Sequence, residues 1–209
     1  RNEIIFWFKT YIIIWFKDKG KTLIMKVTYS DLKNKRVFIS GGGSGIGATI
    51  VEYFCEQKRE VYFIDIDIKS SNKLIKKIKK KGFRVPKFIE CNILDVKKLQ
   101  NIIKDIISKK GAIHCLINSA ANDDRHTTEQ VDEKYWENRM GINLKHYFFA
   151  AQAVVKGMKK IKSGSIVNLS SVSWMLGEGD KVVYETAKSA VVGLTRSFAQ
   201  EFGKYNIRT

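Results

Sequence analysis

Three polar side chains near the carboxyl end of the sequence have the types and spacing of a proton-transfer site. Tyr184 and Lys188 lie four positions apart, so in a helix they share one face and the ammonium can reach the phenol. A phenol with the ordinary pKa of about 10 is a poor base at neutral pH, and a nearby ammonium favours the phenolate. Ser171 lies upstream, at the end of an expected strand. The pattern predicts general acid–base chemistry, although Tyr-x3-Lys alone is also common as a surface contact.

A glycine-rich turn at residues 40–47 follows an apolar run and opens a helix-like run. A strand that turns through glycines into a helix leaves unpaired N–H groups and the positive end of a helix dipole at one point, where a phosphate can bind. A bare flexible loop is the alternative interpretation. The residues expected to hold a dinucleotide here are Gly41, Gly43, Ser44, Gly45, Ile46 and Gly47.

Asp65 ends the next apolar run, residues 61–64. A carboxylate at this position accepts hydrogen bonds from the adenosine ribose and repels a 2′-phosphate. The sequence therefore predicts NAD rather than NADP as the cofactor.

Apolar runs alternate with segments of helical periodicity from residue 36 onward, which predicts a doubly wound α/β fold of the Rossmann type with a parallel sheet. The expected strands are 36–40, 61–65, 86–91, 113–118 and 164–170, and the expected helices are 45–57, 70–81, 95–109, 133–160 and 182–203. Residues 206–209 resemble the start of a sixth strand, so the sheet is expected to lack its last strand or strands.

The predicted helix 133–160 is apolar almost all round, including at Leu144, Tyr147 and Phe148. Such a helix is buried on a second side, most simply by another subunit. We therefore expect a homodimer or homotetramer formed through helices 133–160 and 182–203.

The composition excludes few function classes. The net charge is +17, but lysine is spread through nearly every segment, and the run 69–81 has the pattern of a solvated helix face rather than of a nucleic-acid site. The three cysteines share no metal spacing and are expected to be reduced and buried in a cytoplasmic protein. No cluster supports His126 as a metal ligand, so no metal site is expected.

Residues 1–24 contain an apolar stretch that is too short to span a bilayer. We expect this leader to lie outside the domain and Met25 to be the natural first residue, with an interfacial membrane anchor as the alternative. Residues 25–209 are expected to form one NAD-binding domain that is incomplete at its carboxyl end, and a chain ending at Thr209 is expected to be inactive.

Over residues 31–209 the sequence resembles the short-chain dehydrogenase/reductase family. The resemblance is carried by the glycine loop at 40–47, by Asn118-Ser119-Ala120-Ala121, by Asn143, and by Ser171 with Tyr184 and Lys188. It implies hydride transfer between a nicotinamide and a carbinol carbon.

The family implies a role for each matching residue. Tyr184 takes the hydroxyl proton, Ser171 orients the substrate oxygen, Asn143 keeps a water in the proton relay, and Lys188 tunes Tyr184 and holds the nicotinamide ribose. The other cofactor contacts implied are Ile66, Asn92, Ile93, Asn118 and Ala120, besides Tyr184 and Lys188.

A closer likeness is to bacterial NAD-dependent aldose 1-dehydrogenases, carried by residues 122–126, 135–137, 143–146, 171–174 and 184–188. It implies oxidation of a sugar's anomeric hydroxyl to a lactone, and a cleft of polar residues beside one aromatic ring suits a sugar. The expected substrate contacts are Asn122, Asp123, Arg125, His126, Ser171, Trp174 and Tyr184. A hydrogen-bonded loop cap is the alternative interpretation of residues 123–126, and core packing is the alternative for Trp174. The alternatives are a reductase of 3-oxoacyl type and a catalytically silent cofactor-binding protein.

Overall fold

The structure, a computed structural model, describes residues 3–8, 11–16, 21–26 and 29–209, with side chains from residue 29 onward except at position 31. The chain forms two compact units, Arg1–Lys33 and Asn34–Thr209. In the first unit, β1 (Glu3–Phe8), β2 (Tyr11–Phe16) and β3 (Lys21–Lys26) pair antiparallel in chain order. The anchor hypothesis concerns side chains outside the described residues, and the natural start at Met25 stays a prediction.

The second unit is built on a six-stranded parallel sheet with the order β6-β5-β4-β7-β8-β9. The strands are β4 (Arg36–Ser40), β5 (Glu60–Asp65), β6 (Lys87–Glu90), β7 (Cys115–Asn118), β8 (Gly164–Asn168) and β9 (Ile207–Arg208). The predicted doubly wound fold is confirmed. The sequence predicts the start of a sixth strand at residues 206–209, and Ile207 and Arg208 pair there with Gly164 and Ser165.

The strand order reverses direction between β4 and β7, which are neighbours in the sheet. In open α/β sheets a crevice forms at the carboxyl ends of the strands at such a point. Ser40 lies beside Asn118 in the register, and Asn118 lies beside Asn168. The residues that follow these three strand ends are therefore brought to one edge of the sheet.

Helices cover both faces of the sheet. They are α1 (Gly45–Glu56), α2 (Ile68–Lys80), α3 (Val96–Lys110), α4 (Glu133–Met140), α5 (His146–Ile161), α6 (Ser173–Leu176) and α7 (Val182–Phe202). Along β4, Val37 and Ile39 belong to one buried cluster with residues of α1 and α2, whereas Phe38 belongs to another with residues of α3, α5 and α7. Two covered faces explain why the strands are apolar at nearly every position.

The predicted helix over 133–160 is helical throughout, from Glu133 to Ile161, but it is not uniformly α-helical. A π-helical segment, Gly141–Lys145, separates α4 from α5, and such segments are frequent at functional sites. Most of the apolar face of α5 is buried within the chain itself, including Tyr147, Ala150 and Val154, while Phe148 is 41% exposed. A subunit contact through this helix stays a prediction.

Two further expectations concern the described residues. Cys55 and Cys91 are buried and Cys115 is half-buried, and all three are free thiols. Burial raises the pKa of Cys55 and of Cys115 to about 12, so neither is a reactive thiolate near neutral pH. Within the part of the chain that the structure describes, no helix is both long and apolar enough to cross a membrane.

Candidate active site

The loop between β4 and α1 exposes its main chain at Ser44 and Gly45, where the helix begins. Ser44, the N-cap of α1, makes no side-chain capping bond. Gly45 has a φ of +53°, and a Cβ there would meet nothing within 4 Å. Gly47 is closely packed instead, since its Cβ would lie 1.9 Å from the Gly41 carbonyl oxygen. Open main chain beside a helix N-terminus fits a phosphate group.

Asp65, at the end of β5, is tied to the same loop. Its Oδ2 accepts a hydrogen bond from the N–H of Gly43 at 2.8 Å, and its Oδ1 accepts one from the N–H of Asp67 at 2.9 Å. A Cβ on Gly43 would lie 2.9 Å from the Asp65 carboxyl carbon, so the contact requires a residue without a side chain. Each carboxylate oxygen keeps lone-pair capacity for a ribose hydroxyl.

A cavity of about 630 Å³ runs along the carboxyl ends of the strands. It brings together most of the residues that the sequence assigned to a cofactor or a substrate. The predicted residues that line it are Gly41, Ser44, Gly45, Ile46, Gly47, Asp65, Ile66, Asn92, Ile93, Ala120, Asn122, Asp123, Tyr184 and Lys188.

Lys188 lies on α7 in the wall of this cavity, one helical turn after Tyr184. Its ammonium donates to the Leu169 carbonyl oxygen at 2.7 Å and to the Tyr147 hydroxyl oxygen at 2.9 Å. The ammonium nitrogen lies 5.5 Å from the centre of the Tyr184 ring. The sequence predicted an ammonium near the phenol, and the structure places it beside the ring with its hydrogen bonds directed to other groups.

Burial controls the protonation of Lys188. The residue is 1% exposed, and desolvation lowers the pKa of its ammonium to about 8, while the negative charge of Asp123 acts in the opposite direction. Tyr147 is fully buried, and this burial raises the pKa of its phenol above the ordinary range. Tyr147 therefore stays neutral and serves Lys188 as a hydrogen-bond acceptor.

Asn143 lies in the π-helical segment and is fully buried. Its Nδ2 donates to the carbonyl oxygen of Asn122 at 2.9 Å, and its Oδ1 accepts from the N–H of Asn122 at 2.9 Å. The side chain of Asn143, in the π-helical turn, thus holds the main chain of Asn122 in the cavity wall. The sequence did not predict this positioning role of Asn143.

Several predicted site residues lie outside the wall of the main cavity. Asn118 is buried beneath it and donates to Asn168 Oδ1 at 2.8 Å. The Ser171 hydroxyl lies 2.8 Å from that of Ser173, and Trp174 is half-buried in α6. Gly43 is a buried residue within the glycine loop.

Arg125 and His126 line a second cavity, of about 470 Å³. The Arg125 side chain is exposed and pairs with Asp180. His126 is 7% exposed, and both of its ring nitrogens have partners within the protein. The structure therefore does not bring these two predicted substrate contacts to the wall that holds Tyr184.

Other residues of the site had no clear signal in the sequence. Tyr147 was assigned to an apolar helix face, yet it is the hydrogen-bond partner of Lys188. Ser170, rather than Ser171, is in the cavity wall. His146 is fully buried, and its Nε2 lies 3.3 Å from the Ser40 Oγ, which accepts from the N–H of Ser119 at 3.2 Å. Only the packing of α5 against β7, β8 and α7 reveals the contacts of Tyr147 and His146.

A metal site has no support in the residues that the structure describes, because no group of three or more His, Cys, Asp or Glu side chains there could hold an ion. Burial also lowers the pKa of His146 to about 3, so this side chain is neutral.

The doubly wound sheet and the cavity at its switch point define a dinucleotide-binding α/β protein. Residues 35–209 match the short chain dehydrogenase family. The chain belongs to this family and is an oxidoreductase acting on CH–OH donors.

Three curated relatives share the same part of the chain. A protein named "Probable galactose dehydrogenase GalD" from Rhizobium meliloti is 39% identical over 86% of this chain and 70% of its own length. D-xylose 1-dehydrogenase of Caulobacter vibrioides is 41% identical over 86% and 71%. A 3-oxoacyl-[acyl-carrier-protein] reductase of Thermotoga maritima is 30% identical over 85% and 72%.

Solved structures show the same architecture. The crystal structure of Cj0485 dehydrogenase aligns with a TM-score of 0.76 at 28% identity, covering 85% of this chain and 67% of that one. The crystal structure of gox2181 aligns with a TM-score of 0.80 at 24% identity, covering 85% and 70%. The second comparison shows the fold alone.

Membership of the family implies a nicotinamide cofactor, and the residues of this chain fit one. The open main chain at Gly45 suits the phosphates, and the Asp65 carboxylate suits a ribose. Tyr184 and Lys188 lie in the wall of the same cavity.

Proposed function

We propose that this protein is an NAD-dependent dehydrogenase that oxidises the anomeric hydroxyl group of an aldose, a pentose or a hexose, to the lactone. One observation carries the proposal: Tyr184 shares a single cavity with the glycine loop, with Asp65 and with the polar residues Asn122 and Asp123. The two relatives named for xylose and galactose support an aldose as the substrate.

Oxidation of a carbinol requires removal of the hydroxyl proton, and Tyr184 is the general base in this proposal. A phenolate accepts that proton, and the Lys188 ammonium lies 5.5 Å from the centre of the Tyr184 ring. Lys188 is held in place by the Leu169 carbonyl and the Tyr147 hydroxyl. The nicotinamide, when bound, accepts the hydride from the carbinol carbon.

The choice of NAD follows from Asp65. Its carboxylate is fixed by two backbone N–H groups at the end of β5, and it would repel the 2′-phosphate of NADP. Asn122 and Asp123 offer hydrogen-bonding groups for sugar hydroxyls in the wall that also holds Tyr184.

The test is a comparison of NAD⁺ and NADP⁺ with D-xylose, L-arabinose, D-galactose and D-glucose, using the full-length protein. We expect turnover of at least one sugar with NAD⁺ and formation of its lactone. The Tyr184→Phe variant should lose turnover by about 10² to 10⁴-fold while it still binds NAD⁺. Tyr205→Phe, on the turn after α7, is the matched control.

Two outcomes would contradict the proposal. Absence of sugar oxidation with either cofactor, together with NADPH-dependent reduction of a 3-oxoacyl thioester, would favour the reductase. NAD⁺ binding without turnover of any carbinol or carbonyl compound would favour a catalytically silent cofactor-binding protein.

A further inference from the structure

His126 lies in the loop that follows β7, and its ring contacts the start of the helix that carries Tyr184. Its Nε2 accepts a hydrogen bond from the backbone N–H of Val183 at 3.3 Å. The backbone N–H of His126 donates a hydrogen bond to the Asp180 carbonyl oxygen at 2.7 Å. Two hydrogen bonds from one residue thus join this loop to the residues immediately before Tyr184.

The other side of the ring is held as firmly. Nδ1 lies 2.9 Å from the Tyr135 hydroxyl and 3.2 Å from the Asp124 carbonyl oxygen, and the two rings pack edge to face. Because Nε2 is an acceptor, a neutral imidazole here carries its hydrogen on Nδ1. Both nitrogens are therefore used within the protein, and neither is left for a sugar.

The N–H groups in the first turn of a helix have no partner within the helix, and a side chain before the helix usually supplies one. Lys181, the N-cap of α7, supplies none, since it makes no side-chain capping bond. His126 supplies an acceptor for this turn from a distant part of the sequence. Val183 directly precedes Tyr184, so the position of this turn also sets the position of the phenol.

We propose that His126 is a positioning residue that fixes the first turn of α7, and thereby the Tyr184 hydroxyl, against the loop that forms the substrate wall. The proposal rests on the proposed function for its kinetic consequence. It replaces the sequence-based expectation that His126 contacts the substrate. Because Asn122 and Asp123 lie on the same loop, His126 holds the expected base and the expected substrate contacts in one arrangement.

Two substitutions of His126 separate this role from a general structural one. In His126→Gln the amide oxygen reaches about as far as Nε2 and still accepts from the Val183 N–H. In His126→Asn the shorter side chain reaches only the region of Nδ1. We expect kcat for sugar oxidation to fall about tenfold or more in His126→Asn, to stay within about threefold of wild type in His126→Gln, and KM for NAD⁺ to stay unchanged in both.

Hydrogen exchange of the Val183 amide measures the contact without any turnover. Exchange should be about fivefold faster or more in His126→Asn and close to wild type in His126→Gln. The matched control is His114, a half-buried histidine whose Nδ1 accepts from the N–H of Arg36 at 3.1 Å, at the opposite end of β4. His114→Asn should change neither kcat nor the exchange at Val183.

The results that overturn the proposal are distinct from failure of the proposed function. Two results overturn the proposal whether or not the protein oxidises sugars. One is an unchanged rate of hydrogen exchange at the Val183 amide in His126→Asn, and the other is faster exchange of this amide in His126→Gln. A raised KM for the sugar with unchanged kcat in both variants would make His126 a substrate contact instead. If His126→Asn does not fold, nitrogen NMR of the wild type decides, because a hydrogen on Nε2 in the neutral ring overturns the assignment.

Discussion

The ammonium of Lys188 donates a hydrogen bond to the hydroxyl oxygen of Tyr147 at 2.9 Å, in a region where both side chains are almost fully buried. The Tyr147 hydroxyl donates its own hydrogen bond to the Leu169 carbonyl oxygen at 3.0 Å, so a lone pair of the hydroxyl oxygen is left to accept from the ammonium. An acceptor in this position favours the charged form of Lys188 and opposes the effect of burial.

Removing the Tyr147 hydroxyl, which accepts a hydrogen bond from Lys188, should lower the pKa of Lys188 below its value of about 8. In Tyr147→Phe the ammonium is then lost at lower pH, and with it the positive charge beside the Tyr184 ring. We expect the alkaline limb of kcat/KM for sugar oxidation to move to lower pH, measured from neutral to alkaline pH. Tyr62→Phe removes another buried hydroxyl, which donates to Glu60, and should leave the limb in place. An unmoved limb in Tyr147→Phe would contradict the argument.

The open main chain at Gly45 predicts a selective effect of a methyl group. Gly45→Ala places a Cβ where no protein atom lies within 4 Å and where we expect a phosphate, at a φ of +53°. Gly82 has a φ of +70° and equally open surroundings at the end of α2, so Gly82→Ala reproduces the backbone strain, roughly 1 kcal/mol. Both variants should lose similar stability in urea unfolding. Only Gly45→Ala should weaken NAD⁺ binding, about tenfold or more by titration calorimetry, a difference of about 1.4 kcal/mol.

Neutralising Asp65 should change the choice of cofactor. Asp65→Asn keeps an oxygen for one backbone N–H but removes the charge that opposes a 2′-phosphate, so the ratio of kcat/KM for NAD⁺ over NADP⁺ should fall about tenfold. Asp105→Asn also removes one negative charge, from an exposed pair with Lys109 on α3, and should leave the ratio unchanged. Equal ratios in wild type and Asp65→Asn would remove the basis for the choice of NAD.

The buried His146 predicts a dependence of stability on pH. Its pKa falls from the usual 6.5 to about 3 because burial disfavours the imidazolium, so between these values the unfolded chain binds a proton that the folded chain does not. Stability is therefore lost as pH falls below about 6, by up to about 1.4 kcal/mol per pH unit from this group. His146→Gln should have a shallower loss between neutral pH and pH of about 5, measured as the free energy of unfolding in urea. Parallel curves would show that His146 is not protonated on unfolding.

Much of the fold could be predicted because its signals are local. Apolar runs predicted the strand at 36–40 with its observed bounds, and the strand predicted at 164–170 is observed at 164–168. Helical periodicity marks α2 and α3 within a few residues. Helical periodicity also predicted the long helix over 133–160, but composition alone does not reveal the extra residue in its π-helical turn at Gly141–Lys145.

The sequence by itself determined the doubly wound architecture, the glycine loop, Asp65 and the i, i+4 pair of Tyr184 and Lys188. These depend on conformational freedom, periodicity and spacing within short segments. Tertiary structure alone decided the partners: Tyr147 for Lys188, Asn143 for Asn122, and His126 for the start of α7. Each of these contacts joins residues far apart in the chain, and a buried polar group takes whichever partner the packing of distant elements brings to it.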